Sequence, residues 1–309
     1  MVLLNRKKLL AAKVETTIGT AISVANADAA ENIFNPVIQQ SITVEERPGN
    51  GGFGRLAGVP GARMGTATFR TNIYYNGTDV PFWASTFLPA CGWVNSAGIF
   101  TPRSEAPGSN VKTLTIAGYT DGQVKTLAGC MGTFQIVSPN GRTPYIDWTF
   151  TGKWIAPTSA SLLTPTYPTT LPMRYASATT TYNSVALCAE QITIDAGNNV
   201  IMRECAADAT GYGAALVTDR YPKITANPES VAFATRDSYA QLLAASEAEF
   251  LLVIPTPGGG DITISAPKAQ VLNPQEAERS GLLVDQIEWG CNKNGTTHDQ
   301  ELSIAFNPD

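Results

Sequence analysis

The sequence predicts a mainly β protein, and three features carry that reading. Hydrophobic residues make up 43% and charged residues only 15%, too little charge for long solvated helices. The 27 Gly and 20 Pro supply turns for many short strands. Thr, Val, Ile, Tyr and Phe fall in alternating runs, which suit a pleated, half-buried surface. At 309 residues the chain has room for about two ordinary domains, each large enough to bury its own core.

The elements follow in order. Arg6, Lys7 and Lys8 precede Leu9, Leu10, Ala11 and Ala12 in the manner of a targeting peptide, but Lys13 and Glu15 cut the apolar run short of a signal. That run is too short to stand alone as a helix, and no strand partner is evident for it. Gln40 to Glu46 is the first clear strand, since Ile42 and Val44 alternate with Ser41, Thr43 and Glu45. Residues 47–61, RPGNGGFGRLAGVPG, hold six Gly and two Pro and predict a long loop without a periodic element.

Strand character resumes at Thr66 to Tyr75, and Pro81 to Cys91 then changes period. Phe82, Trp83, Phe87 and Leu88 lie at helical spacing, with Pro81 suited to a first turn and Pro89 to Gly92 to the stop. Three strands are predicted at residues 111–118, 122–137 and 144–154, the second with a bulge near Gly129 and Gly132. Residues 156–178 are rich in Pro, Thr and Ser, carry no period and read as a linker.

The pattern then starts again. Ile192-Thr193-Ile194 repeats Ile42-Thr43-Val44 at an offset of 150 residues, and a Gly-containing loop, a strand at 224–233 and a helix at 238–248 follow. Ile262-Thr263-Ile264 takes the place of Leu114-Thr115-Ile116, and Leu283-Val284-Asp285 that of Tyr145-Ile146-Asp147. Two tandem copies of one β-rich domain, each with one short α-helix, are the economical account; one large two-sheet domain is the alternative. The divisions are an N-terminal arm 1–30, a first domain 31–156, a linker 157–180 and a second domain 181–309.

Chemistry is sparse. The single histidine, His298, lies in a polar loop without a partner motif for a nucleophile. Cys91, Cys130, Cys188, Cys205 and Cys291 are scattered without metal-ligand spacing and read as reduced thiols. Asp147 and Asp285 occupy equivalent places in the two copies rather than one glycosidase-like pair. Asn76-Gly77-Thr78 and Asn294-Gly295-Thr296 match the glycosylation sequon, but Asn-Gly is also a favoured turn. Pro257 to Asp261 is a turn, since no Lys-Ser/Thr follows it. The five Trp read as core or interface anchors. A net charge of −5 leaves no basic stripe to neutralise phosphates, and no window approaches the ~18–20 apolar residues of a membrane span.

Several segments together carry a resemblance. They are Ala11-Ala12-Lys13-Val14-Glu15-Thr16-Thr17-Ile18-Gly19-Thr20, the strand 40–46 before a Gly/Pro loop containing Arg55, the helix from Phe82 to Gly92, and Phe150 to Thr158 (FTGKWIAPT). In the second half they are Asn199 to Glu204 (NVIMRE), Thr218 to Pro222 (TDRYP) and Ile264 to Gln270 (ISAPKAQ). In this order they resemble the tail tube proteins of long-tailed bacteriophages, in the larger type whose chain carries two tube-type domains. Cys188 and Cys205 map onto nothing in that family.

The resemblance implies two tandem tail-tube-type β-sandwich or barrel domains and a structural virion protein, with no catalytic residues, cofactor or metal. It implies self-assembly into stacked rings, trimeric and pseudo-hexameric with two domains per chain, which form the hollow tube that passes DNA during ejection. Implied partners are further copies of the chain, a tape-measure protein inside the tube, tail terminator and tail-tip proteins, and DNA in transit without specific binding; no membrane is involved. The location implied is the virion tail, after synthesis in the bacterial host cytoplasm. A lumen with excess Asp and Glu would pass DNA by repulsion.

Ring-stacking contacts are then expected from loop 47–61, at Arg47, Asn50, Phe53, Arg55, Leu56 and Val59, and from its counterpart 195–215, at Asn198, Arg203 and Tyr212. The arm, with Lys13, Val14, Glu15, Thr17 and Ile18, is expected to order against a neighbouring subunit and to be dispensable for folding. Two other functions compete: a secreted or surface adhesion protein of tandem β-sandwich domains, and a carbohydrate-active enzyme using Asp147.

Overall fold

The computed structural model describes residue 4 and residues 6–308. The first half comprises β1 (Lys8–Val14), β2 (Ile33–Pro48), β3 (Arg55–Asn72), α1 (Phe82–Phe87), β4 (Trp93–Ser96) and β5 (Ile99–Pro102). It continues with β6 (Leu114–Thr120), β7 (Gln123–Pro139) and β8 (Tyr145–Ser159). The second half begins with β9 (Thr179–Tyr182), β10 (Val185–Ala186), β11 (Ala189–Asp195), β12 (Asn198–Glu204) and β13 (Tyr212–Arg220). After these come β14 (Lys223–Pro228), α2 (Ser238–Leu243), β15 (Glu247–Pro255), β16 (Asp261–Arg279), β17 (Leu282–Cys291) and β18 (Ser303–Asn307). The fold is mainly β, as expected, with two short α-helices.

Pairing between these strands is antiparallel, and the order is written twice. From its outer edge the first half runs β2, β3, β8, β7, β6, β1. The second runs β11, β14, β17, β16, β15, β9. In the chain α1 separates β3 from β6 as α2 separates β14 from β15. The halves join where Gln191–Asp195 of β11 pairs with Gln135–Pro139 of β7. The result is one continuous band of eight strands, β2-β3-β8-β7-β11-β14-β17-β16.

This order corrects one sequence equivalence. Ile262-Thr263-Ile264 lies in β16, whose counterpart is β7; the counterpart of the Leu114 strand is β15. Any half-buried strand alternates in the same way, so three matching letters do not separate neighbouring strands. The N-terminal segment also has a counterpart in the second half, because β9 pairs with β15 as β1 pairs with β6.

Apolar alternation drives the core. Pro81 precedes α1 in an extended conformation, and Trp83, Ala84 and Phe87 turn inward. A single 3-10 turn, Leu88–Cys91, continues the helix, and Gly92 stops it at φ 78°, a left-handed position that suits glycine. The Phe87 ring meets Phe69 at 5.1 Å, Trp148 at 5.2 Å and Phe150 at 6.0 Å. Such pairs contribute about 0.5–1.5 kcal/mol each beyond area burial. In the second half Trp289 meets Tyr182 at 5.4 Å and Phe250 at 5.6 Å. Strand β18 ties the halves together: it pairs with β16 and β5, and its Phe306 packs 5.5 Å from Trp83.

The segment read as an unpaired arm is corrected in part. Lys8–Val14 pairs along its length with β6, and Leu10, Ala11 and Ala12 are buried. Glu15 follows, 5% exposed, and its carboxylate accepts four hydrogen bonds. The donors are Gly19 N at 2.8 Å, Gly129 N at 2.8 Å, Thr113 Oγ1 at 2.6 Å and Thr115 Oγ1 at 2.9 Å. Gly129 sits at the β7 bulge with φ +62°, where a Cβ would come within 3.0 Å of the Ala214 backbone. Lys13, Val14 and Glu15 therefore belong to this chain's own fold, while Thr17 and Ile18 remain exposed. Residues 156–159, assigned to the linker, extend β8 instead.

Candidate functional site

The most exposed feature is the outer half of the β2–β3 hairpin. Its pairing continues through Val44 with Pro60, Glu45 with Val59 and Arg47 with Leu56, and the turn is confined to residues 49–54, where Gly49 N donates to Gly54 O. The expected long loop 47–61 is thus mostly strand. Gly and Pro are tolerated there because β8 pairs with β3 only from Met64 onward, so among the described residues the outer hairpin has no third strand whose ladder a missing N–H would break. Val44, Leu56 and Val59 are about half exposed at 55%, 53% and 48%, and Phe53 is fully exposed at the tip. The Arg55–Glu46 ion pair lies in solvent and contributes little. Four large apolar side chains, Val44, Phe53, Leu56 and Val59, thus stand exposed on one two-stranded hairpin.

Its counterpart in the second half is also a hairpin, and that one is packed. The expected loop 195–215 resolves into β12, a turn at 205–211, and β13. Val200, Met202 and Val217 lie against Val111 and Met131 of the first half, with Ala215 buried among them. Thr210 O accepts from Arg63 N at 2.8 Å, and Asp208 pairs with Lys153 at 2.8 Å. That bond, with help from Thr210, holds the Asp208 carboxyl down at about 2. The Asn198 amide donates to Cys91 O and Gly132 O, so Asn198 joins the halves rather than standing free. Tyr212 is half-buried in this hairpin, and Arg203 is exposed. Gly197 enters β12 at φ +63°, where a Cβ would stand 2.0 Å from Tyr221 O.

The non-core face of the eight-strand band is polar. Thr68, Thr149 and Thr133 form one cross-strand row through β3, β8 and β7. A second row runs Arg70, Asp147, Gln135, Asp195, Lys223. Its cations are paired: Arg70 grips Asp147 with two bonds of 2.7 and 2.8 Å, and Lys223 pairs with Glu288 at 2.8 Å, while Asp195 accepts from Gly197 N. Hydroxyls, amides and mostly paired charges make up these rows.

At the root of the exposed hairpin Glu31 is 3% exposed and accepts from the Tyr74 hydroxyl at 2.8 Å. Burial raises its carboxyl from 4.5 to about 7, against the opposing pull of hydrogen bonds from Tyr74 and the backbone. A carboxyl that holds its proton more tightly when folded gives full stability below its unfolded value and loses it as pH rises through the folded one. Stability should therefore fall by about 2–3 kcal/mol between pH ~4.5 and ~7.5. Glu31→Gln should flatten that decline in chemical denaturation curves; an unchanged slope would place its origin elsewhere.

A family model described as phage tail tube protein matches residues 5–291, nearly the whole chain. The chain belongs to the phage tail tube protein family. No curated protein matches it. As a tail tube protein it is a structural component of the phage tail. Among the described residues no group of His, Cys, Asp or Glu is placed to hold a metal ion. Asp147 and Asp285 are tied separately, to Arg70 and Arg236. The five cysteines are free thiols. Both Asn-Gly sequences form turns, and Asn76 Oδ1 accepts from Thr78 N and Asp79 N.

Proposed function

We propose that this tail tube protein closes into rings of three chains, each chain supplying two tube-type units, and that the rings stack into the conduit for DNA. One observation carries the reading: β11, the first band strand of the second unit, adds to the edge of β7 in the first. The equivalent places at the ends of the band are open. The outer side of β2 has no strand partner among the described residues, and β16 beyond Gln270 pairs only with β17. Adding β2 of one copy beside β16 of the next would reproduce the internal junction and remove both edges. Three copies close to twenty-four strands, eight from each.

The polar face of this band is the wall we assign to the bore. A surface of hydroxyls, amides and cations already paired with carboxylates offers phosphates little to bind, so DNA passes without adhesion. The exposed β2–β3 hairpins reach the neighbouring ring. A tape-measure protein in the bore, and terminator and tip proteins at the ends, complete the tail in this reading. Concentrated purified protein should form hollow tubes in negative stain, and native mass measurement of single rings should give three chains. Globules at every concentration, or six whole chains per ring, would refute the proposal. Introducing lysines together at Thr68, Thr149 and Thr193 should leave tubes intact but make them retain DNA, with binding that weakens steeply with salt.

A further inference from the structure

Inside the chain, the first unit is closed where its β7–β8 turn meets the segment after β3. Ile73 N donates to Pro144 O there, and the segment that enters β9 lies across both. Met173 N donates to Ile73 O, Tyr175 N to Arg142 O, and Gly141 N to Tyr175 O; Met173 is wholly buried. The β15–β16 turn closes on the same place, so tightly that a Cβ on Gly77 would lie 2.8 Å from Gly259 O.

The second unit has the same framework without the cover. Ser230 N donates to Leu283 O as Ile73 N does to Pro144 O. Val231, Leu282 and Leu283 are 43%, 53% and 57% exposed, and with Glu229, Ser230 and Ala232 they line a groove of about 320 Å³. The counterpart of the covering segment is the one that enters β1, and the counterpart of the β15–β16 turn is the β6–β7 turn. Those two already form one unit: Leu4 N donates to Asp121 Oδ2 at 2.8 Å, and Lys7 reaches Asp121 at 3.4 Å. Leu4 is 54% exposed. Charge agrees, since Arg6, Lys7 and Lys8 are exposed on this segment while Glu276 and Glu278 are exposed at the end of β16 beside the groove.

We propose that the Val231–Leu282–Leu283 groove of one copy receives the Leu4–Lys7 segment and β6–β7 turn of a second copy. The inference rests on the ring reading and names the contact that locks successive chains within a ring. Part of the N-terminal segment thus serves assembly although β1 itself serves the fold.

The test is a Leu4→Cys/Leu283→Cys chain in a Cys188→Ser/Cys205→Ser background, treated with a short bismaleimide after assembly. Covalent products should stop at three chains, and neither single-cysteine chain should give them. Tubes seen by electron microscopy without cross-links, with the Leu283→Cys thiol alkylated as fast as in dispersed subunits, would overturn the groove assignment and leave the ring standing. A parent chain that never forms rings would overturn the ring reading and this inference with it. Leu283→Asp, at an exposed position, should leave subunit melting unchanged and raise the concentration needed for assembly at least about tenfold; an unchanged threshold counts against the contact.

Discussion

Glu15→Ala is expected to cost the subunit about 3–5 kcal/mol and to leave little folded chain at growth temperature. The carboxylate is the common acceptor for two backbone N–H groups and two hydroxyls, drawn from the turn after β1, the entry to β6 and the β7 bulge. Removing it leaves buried donors without their acceptor, each at about 1–3 kcal/mol and less than additively. Ile18→Ala, a few residues away but 45% exposed, should stay within about 0.5 kcal/mol. Urea denaturation of dispersed subunits decides between them. Equal small effects would return the opening motif to the role of a dispensable arm.

The second large effect is on assembly alone. Removing residues 49–58 should leave the subunit's melting temperature within about 2 °C of the parent, because the outer hairpin contributes nothing to the core. Tubes should be lost, since Phe53 and Leu56 would each bury surface worth about 1.5–3 kcal/mol on stacking, repeated at every subunit of every ring. Phe53→Ser with Leu56→Ser should do the same with the backbone kept. Tubes of normal length from the deletion would show that stacking uses another surface.

Several elements were legible because their signal is local. The Pro81–Gly92 helix and its stop, the bulge near Gly129 and the alternation of β8 depend on residues close together in sequence. The loop at 47–61 misled because Gly and Pro exclude a central strand but not a bare hairpin, and composition alone does not say which kind of strand is present. The β1 partner was invisible because β6 lies far along the chain, and antiparallel pairing leaves no local trace of its distant register. Of the residues expected at contacts between subunits, Phe53, Leu56 and Val59 lie on the exposed hairpin, whereas Asn198 and Glu15 are held by hydrogen bonds within the chain that residue type alone does not reveal.

The β class and the family were readable from the chain alone, because alternation, turn chemistry and the order of short segments are properties of neighbouring residues. Strand pairing in three dimensions decides which edges stay open, which of two hairpins is packed and which is bare, and that the opening motif clamps the fold. Those outcomes depend on pairings between strands distant in the chain, 52 to 60 residues apart for β11 with β7 and 100 to 112 for β1 with β6, which neighbouring residues do not encode.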